Sequence, residues 1–258
     1  MAGSVRPAAM PLSDDELDRY ARQLVLPQFG GLGQQRLKAA KVAVVGAGGI
    51  GSAVIPALTC SGIGSLTIVD GDRVELSNLP RQPIYTSSQV GMGKSLLASH
   101  WVMSRNPHVE VRSIAERIET ENATEILSGH DLVVDGTDNF ATRLLVSDTC
   151  VALGLPLLSA AAQQFQGQVA IFTGKPCYRC FVGDAFDADD CDNCAELGVI
   201  GAMVATVGSY AALMAIRAIA GMADDRGALH LFDAAALEWR KIRLSSDPSC
   251  RTCGSPSA

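Results

Sequence analysis

A glycine-rich turn is the first feature of the sequence that can do chemistry. Gly46, Gly48 and Gly51 follow the apolar run at 42–45 with the spacing G-x-G-x-x-G. Such a turn lets the backbone approach phosphates, and the N-terminus of the following helix favours their charge. Asp70 ends the next apolar run, where an acidic residue accepts hydrogen bonds from a ribose. The turn predicts a nucleotide site that suits NAD as well as ATP.

A second glycine-lysine motif does not complete a P-loop. Gly93, Lys94 and Ser95 match the end of G-x-x-x-x-G-K-S, but Ser88 stands where the first glycine is required. Lys94 is therefore expected to act as a single cation at the start of a helix.

Polar side chains gather where predicted strands end, and ligands of open α/β sheets bind beyond the carboxyl ends of strands. These residues are Ser77, Asn78, Arg81, Lys94, Asp138 and Asn139. Arg81 and Lys94 can neutralise triphosphate oxygens, and Asp138 can hold Mg²⁺ through its carboxylate. Hydride transfer to NAD needs no such carboxylate, so the set favours ATP. Solvated loop charges are the alternative interpretation.

Eight cysteines are present, and six of them form C-x-x-C pairs. Cys177 with Cys180 and Cys250 with Cys253 suit a tetrahedral structural Zn²⁺ site that ties the tail to the body. The pair Cys191 and Cys194 competes for the same metal because it lies near the first pair. The two remaining cysteines, Cys60 and Cys150, are expected to be buried apolar residues.

The elements that would position these residues are short apolar strands alternating with helices. Strands are predicted at 42–45, 66–69, 109–111, 132–135, 155–159, 169–172, 229–232 and 241–244. Helices are predicted from the capping box of Ser13 and Glu16, after the glycine turn to 61, and at 91–105, 121–127 and 199–220. This order predicts one α/β domain over residues 1–258, a doubly wound, mostly parallel, Rossmann-like sheet with a late antiparallel portion.

Composition narrows the function classes. The 258 residues are 48% hydrophobic and 19% charged, with a net charge of −6, which argues against non-specific nucleic-acid binding. The uncharged stretches 42–69 and 197–216 are attributed to packing on a sheet rather than to membrane spans. No secretory signal is visible, so we expect a cytoplasmic protein with mobile ends at 1–12 and 255–258.

The chain resembles the E1-like adenylyltransferases, which include the enzymes that activate the sulfur carriers of the molybdopterin and thiamine pathways. The motifs that carry the resemblance are RYARQ at 19–23, VGAGGIG at 45–51, SNLPRQ at 77–82, DGTDN at 135–139 and CYRC at 177–180. They occur in the family's order and cover nearly the whole chain. One departure is Pro80, where the family's loop often has Gln.

The resemblance implies ATP-dependent adenylation of the C-terminal glycine carboxylate of a small ubiquitin-like sulfur carrier that ends in Gly-Gly, with release of pyrophosphate. It assigns Gly49 and Asp70 to adenosine, Asn78, Arg81 and Lys94 to the phosphates, and Asp138 to Mg²⁺. Arg22 would reach the ATP of a neighbouring subunit, which implies a homodimer. No rhodanese domain is visible, so a separate protein is expected to donate sulfur.

The resemblance also assigns the cysteines. It supports zinc on Cys177, Cys180, Cys250 and Cys253, and it matches Cys194 to a cysteine that links to the carrier in thiamine-type members. Acidic neighbours such as Asp192 and Glu196 oppose a reactive thiolate at Cys194. If Cys194 does link to the carrier, Cys191 is its expected disulfide partner.

Three other functions remain open from the sequence. An NAD-dependent oxidoreductase rests on the glycine turn and Asp70 alone. A zinc-stabilised interaction scaffold would bind a carrier without turning over ATP. An E1-like tRNA-modifying dehydratase is the third, although the paired C-x-x-C motifs suit a carrier activator better.

Overall fold

The computed structural model describes residues 9–183, 198–222 and 225–254. Its eight strands are β1 (Lys41–Val45), β2 (Ser65–Val69), β3 (Glu110–Ile114), β4 (Leu132–Asp135), β5 (Leu157–Gln163), β6 (Gln166–Phe172), β7 (Ala228–Asp233) and β8 (Glu238–Arg243). Its α-helices are α1 (Asp14–Arg19), α2 (Ala21–Leu24), α3 (Gly30–Ala39), α4 (Gly51–Ser61), α5 (Lys94–Arg105), α6 (Ala123–Leu127), α7 (Phe140–Leu153), α8 (Tyr178–Val182) and α9 (Gly201–Ala220).

The strands form one sheet in the order β3-β2-β1-β4-β5-β6-β7-β8. The first five are parallel, and β6, β7 and β8 pair antiparallel. The chain leaves β1 toward β2 on one side and reaches β4 on the other. This reversal places a topological switch point at the carboxyl end of β1, where open α/β sheets bind ligands. The predicted doubly wound sheet with a late antiparallel portion is confirmed.

Two apolar cores cover the two faces of the sheet. Along β1, Val42 and Val44 belong to one core, and Ala43 and Val45 belong to the other. Successive side chains of a strand point to opposite faces, so a strand buried on both faces is apolar throughout. Helices α4 and α9 contribute to the first core, and α6 and α7 contribute to the second.

Helix α9 is, among the described residues, the helix that is long and apolar enough to cross a membrane. Half of its most apolar window is buried inside the structure. Gly208 explains how closely it packs, because a Cβ there would lie 2.7 Å from the Cβ of Ala53 on α4. Helix α9 is therefore packed as a core helix.

The N-terminal and central helices differ from the prediction. The predicted first helix is divided at Tyr20, whose ψ of 12° ends α1 before α2 begins. The ring of Tyr20 is buried, and its hydroxyl accepts a hydrogen bond from Asn106 Nδ2 at 2.8 Å. Helices α3 and α7 were not predicted.

Candidate active site and cysteine cluster

The glycine turn follows β1 and leads directly into α4. Gly46 has a φ of +92°, which disfavours any other residue. A Cβ on Gly51 would lie 2.2 Å from the carbonyl oxygen of Gly46, and a Cβ on Gly49 would lie 2.7 Å from Val204 Cγ1 of α9. The turn is packed too closely at these positions to accept side chains.

Asp70 holds the turn from the end of β2. Its Oδ2 accepts a hydrogen bond from Ala47 N at 2.8 Å, and its Oδ1 accepts one from Asp72 N at 2.8 Å. Burial raises the pKa of the Asp70 carboxyl, although the nearby charge of Lys94 opposes the shift. Asp70 therefore shapes the turn in addition to its predicted contact with ribose.

Lys94 is a buried cation beside this carboxylate. Its side chain is 8% exposed, and its Nζ lies 3.3 Å from Asp72 Oδ2. Asp72 also pairs with Arg117, whose Nη2 lies 3.2 Å from Asp72 Oδ1. The ion pair with Asp72 holds the Lys94 ammonium group near the glycine turn.

The loop after β2 forms a second wall of the site. Asn78 is buried, and its Oδ1 accepts a hydrogen bond from Glu75 N at 3.2 Å. Arg81 Nη1 donates to the carbonyl oxygen of Ser77 at 2.9 Å. The start of α9 lies against this wall, because a Cβ on Gly201 would lie 2.1 Å from the carbonyl oxygen of Pro80.

Two residues of this region received no role from the sequence. Tyr85 is buried, and its hydroxyl lies 2.8 Å from the Ala47 carbonyl oxygen and 3.3 Å from that of Lys94, so it joins the glycine turn to α5. Gln82, within the quoted SNLPRQ motif, is buried against Gly48. Sequence spacing gives no signal for either contact, because both depend on how the loop folds back.

Asp138 and Asn139 follow β4 at the same edge of the sheet. Asp138 is exposed, while Asn139 Oδ1 caps α7 by accepting a hydrogen bond from Thr142 N at 2.8 Å. The buried Asp135 accepts hydrogen bonds from Thr137 N at 3.0 Å and from Thr137 Oγ1 at 2.7 Å. These bonds fix the loop that carries Asp138.

Arg22 lies away from these residues. It is exposed on α2, which follows Tyr20 at the amino edge of the sheet, where Asn106 precedes β3. The structure therefore places Gly46, Gly48, Gly49, Gly51, Asp70, the loop of Ser77 to Arg81, Lys94 and Asp138 at the carboxyl edge. Arg22 is not among them.

The four predicted zinc cysteines are brought together. Cys177 Sγ lies 4.0 Å from Cys180 Sγ and 3.6 Å from Cys250 Sγ, and Cys180 Sγ lies 3.4 Å from Cys253 Sγ. All four sulfurs lie within 4.8 Å of one another. A tetrahedral thiolate site with bonds of about 2.3 Å has sulfur separations of about 3.8 Å, so the four thiols can hold a metal ion.

Polar groups support this cluster from outside. Asp247 N donates to Cys180 Sγ at 3.4 Å. Burial opposes ionisation of Cys250, but hydrogen bonds from the backbone N–H groups of Cys253 and Thr252 and from the thiols of Cys177 and Cys253 together lower its pKa to about 7. Asp148 of α7 accepts from Arg179 Nη2 at 2.8 Å and from Thr252 Oγ1 at 2.8 Å, which joins both cysteine-bearing segments to α7.

The structure tests the expected burial of two of the four remaining cysteines, Cys60 and Cys150. Cys191 and Cys194 lie outside the described residues, so their predicted roles stay predictions. Cys150 is buried as expected, and burial raises the pKa of its thiol. Cys60 is exposed, and its expected burial was wrong because it lies near the end of α4 on the solvent side.

The ThiF family model matches residues 20–252 of the chain. This protein belongs to the ThiF family. The match contains the glycine turn, the loop after β2 and three of the four clustered cysteines, and it ends one residue before Cys253.

Two curated ThiF relatives extend this result. The chain is 45% identical over 253 residues to the sulfur carrier protein adenylyltransferase of Thermus thermophilus, covering 95% of this chain and 93% of that protein. It is 40% identical over 247 residues to the adenylyltransferase and sulfurtransferase MOCS3 of Drosophila grimshawi, covering 94% of this chain and 55% of that protein. The E1-like resemblance is confirmed.

Solved structures share the fold. Escherichia coli MccB with MccA-N7isoASN superposes with a TM-score of 0.82 at 21% identity, covering 97% of this chain and 77% of that one. PaaA superposes with a TM-score of 0.76 at 23% identity, covering 90% of this chain and 75% of that one. At these identities the likeness supports the architecture alone.

Proposed function

We propose that this ThiF-family protein adenylates the C-terminal glycine carboxylate of a small ubiquitin-like sulfur carrier with ATP. The observation that carries the proposal is the buried Lys94 beside the glycine turn, in the same site as Asn78 and Arg81. These residues suit a triphosphate, whereas NAD needs neither a buried lysine nor the loop arginine. The names of the two curated relatives support the same chemistry.

The reaction needs no general base. The glycine carboxylate is ionised at neutral pH and attacks the α-phosphorus directly. A carboxylate oxygen forms the new bond to phosphorus, the bond from phosphorus to the oxygen that bridges to the β-phosphate breaks, and pyrophosphate leaves with that electron pair. Catalysis then consists of holding the two anions together and neutralising charge, which Lys94 and Arg81 are placed to do.

Asp138 is the proposed Mg²⁺ ligand. Its carboxylate is exposed at the carboxyl edge, on a loop that Asp135 fixes, and oxygen ligands suit Mg²⁺. When bound, Mg²⁺ would neutralise charge on the phosphates. We assign the phosphates to Ser77, Asn78, Arg81 and Lys94, the adenosine to Gly49 and Asp70, and a secondary contact to Asn139.

Arg22 supports a homodimer. Its side chain is exposed at the edge of the sheet opposite the nucleotide turn, so it cannot serve the site of its own chain without a large rearrangement. A second copy that brings its α2 to the open side of the pocket would supply this cation. We therefore propose that each active site is completed by Arg22 of the partner.

Zinc is the proposed ion of the cysteine cluster. Four thiols at tetrahedral separations form a closed set without a position for substrate, which is typical of structural zinc. The ion would tie the C-terminal segment to α8 and would take no part in adenylation.

Exposed apolar side chains at the carboxyl edge support a protein substrate. Phe165 is 48% exposed, Ile200 55% and Leu237 77%. The two hairpins that carry Phe165 and Leu237 lie side by side, since Ala234 N donates to the Phe165 carbonyl oxygen at 2.8 Å. Gln164 and Leu237 also have positive φ values of 51° and 56°, a strained conformation for such residues. A carrier domain would cover these side chains.

We further propose a single cytoplasmic domain that receives sulfur through a separate donor protein. The continuous eight-stranded sheet and the packing of α9 support the single domain. If Cys194 links to the carrier during sulfur transfer, Cys194→Ser would keep adenylation and lose transfer.

Carrier-dependent exchange of labelled pyrophosphate into ATP tests the function. We expect exchange with the wild-type protein and a Gly-Gly carrier. Asp138→Ala should reduce exchange by roughly 100-fold or more with unchanged thermal unfolding, because charge stabilisation at a transferring phosphate is lost. Asp131→Ala, at the opposite end of β4, is the matched control. Full activity in Asp138→Ala would remove this residue from the metal site, and absence of exchange in the wild type would reject the function.

A further inference from the structure

Gln82 carries an unpaired amide oxygen at the nucleotide turn. Its side chain is buried, with 3% of the residue exposed. Among the described residues its Oε1 has no hydrogen-bond partner. Its Nε2 lies 3.6 Å from the position that a Cβ on Gly48 would take. The amide therefore lies against the glycine turn with a buried acceptor left unused.

The fold itself does not require this amide. The backbone of Gln82 is fixed independently, because its carbonyl oxygen accepts a hydrogen bond from Tyr85 N at 3.2 Å. A buried acceptor without a donor costs stability, and a methionine of similar length would fill the same space without that cost. Because Gln82 lies at the nucleotide turn, its unpaired Oε1 is placed to accept a hydrogen bond from a bound ligand.

The chemistry of an amide limits what that ligand can be. Oε1 only accepts and Nε2 only donates, so a group that satisfies both must itself carry a donor and an acceptor. The ionised triphosphate offers acceptors alone. A peptide unit and the edge of adenine each offer both, as does a ribose hydroxyl, which we assign to Asp70.

The position of Gln82 distinguishes a peptide unit from adenine. Gln82 directly follows Arg81, on the loop that we assign to the phosphates, and it faces Gly48. Gly49 and Asp70, which we assign to adenosine, flank Gly48, with Asp70 bonded to Ala47 N. The neighbouring Arg81 is therefore what places the Gln82 amide on the phosphate side. Adenine lies beyond ribose, away from the phosphates. The carrier's tail must instead end at the α-phosphate, next to this loop.

We propose that Gln82 is a positioning residue that pairs, through both atoms of its amide, with a peptide unit of the carrier's C-terminal Gly-Gly segment. This inference rests on the proposed function and deepens it. Gln82 would hold the extended tail against the glycine turn, so that the terminal carboxylate points at the α-phosphorus. It would read the main chain of the tail rather than a side chain.

The inference can be tested by comparing the KM for the carrier with the KM for ATP in the full-length protein. With a ubiquitin-like carrier ending in Gly-Gly, Gln82→Met should raise the KM for the carrier by roughly tenfold and leave the KM for ATP within about twofold. Gln34→Met is the matched control: it is another buried glutamine with an unpaired Oε1, and its Nε2 binds the Ser61 carbonyl oxygen at 2.8 Å, away from the site. It should leave the KM for the carrier unchanged.

Modified substrates supply a second measurement. A semisynthetic carrier with an ester in place of one glycine peptide bond loses the N–H, and at the contacted glycine it should raise the wild-type KM by about tenfold. The same ester should have no further effect on Gln82→Met. An ester effect of equal size in both proteins overturns the inference. The inference is also overturned if the wild-type KM for the carrier is unchanged both by an ester at the Gly-Gly bond and by an ester at the bond that precedes it.

Adenine recognition gives a different pattern. If Gln82→Met raises the KM for ATP and inosine triphosphate abolishes that difference, the amide reads the base and the inference is wrong. Failure of the function is separate, because the wild-type protein would then show no exchange with the unmodified carrier.

Discussion

The nucleotide pocket and the cysteine cluster use polar groups in opposite ways. At the carboxyl edge of the sheet, Lys94 is a buried cation, Asp70 is a partly buried carboxylate, Gln82 has an unpaired amide oxygen and Asp138 is exposed. Near the amino edge, four thiols face one another and the surrounding groups are paired through Asp148. The proposed nucleotide site thus combines paired charges with an unpaired amide oxygen and an exposed carboxylate, whereas the polar groups around the cluster fix the chain.

Helix α7 runs between these two regions. It begins next to Asp138 in the pocket and carries Asp148 at the cluster. Arg143 on the same helix donates to the carbonyl oxygen of Ala160 at 3.3 Å and also contacts that of Thr137. The two regions lie toward opposite ends of α7, so we expect substitutions in the cluster to act on stability and substitutions in the nucleotide site to act on activity.

Lys94→Met should give the largest effect and should act on activity alone. It removes the buried cation beside the turn, so pyrophosphate exchange should fall by roughly 1,000-fold. Because the buried charge itself is removed together with its desolvation cost, thermal unfolding should change little. Exchange kinetics and calorimetry measure the two quantities. Lys41→Met, at the start of β1 on the opposite edge, should keep full exchange; equal losses in both variants would contradict the assignment.

Cys177→Ser, in contrast, should lower stability and have little effect on activity. Loss of one ligand of a closed zinc site should release the ion and lower the melting temperature by roughly 10 °C, since a structural metal contributes directly to folding. A colorimetric zinc assay and calorimetry measure both. Exchange at a temperature where the variant stays folded should remain within about threefold of the wild type. Cys60→Ser is the control because Cys60 is exposed. Loss of exchange without loss of zinc would contradict the structural role.

Asp70→Asn should show the smallest effect of the three substitutions, a change in the pH dependence of stability. Burial raises the pKa of Asp70 above its ordinary value of 3.8, so the folded state binds this proton more tightly than the unfolded state. The contribution of Asp70 to stability is therefore lost as pH rises from about 3.8 through the raised pKa. The stability of Asp70→Asn relative to the wild type should increase over that window, as urea unfolding at several pH values would measure. A difference independent of pH would contradict the shift.

Part of the fold was predictable because buried parallel strands are apolar throughout. β1, β2 and β4 were predicted to within one residue at either end. Helix α3 was missed because three glycines near its start resemble a loop. Helix α7 was missed because apolar residues occur on most of its surface, which leaves no clear period. The break at Tyr20 depends on Asn106, which is far away in sequence.

The candidate site was predictable only where a motif has a fixed local geometry. The spacing of Gly46, Gly48 and Gly51 determines a turn, and the two C-x-x-C pairs provide ligands of the right kind. The contacts of Gln82 and Tyr85 could not be predicted, because each joins segments that are distant in sequence. The same is true of Val204, which approaches Gly49 from α9.

The sequence by itself determined the doubly wound sheet, the nucleotide turn, the candidate phosphate ligands and the C-x-x-C pairs, but not which of these pairs meet. These follow from local spacing and from the periodicity of burial. Only the tertiary structure decided that Lys94 is held by Asp72, that Arg22 lies at the opposite edge from the pocket, and that Gln82 keeps an unpaired amide oxygen at the turn. Such facts depend on long-range packing, because burial and pairing are properties of the folded chain rather than of any one segment.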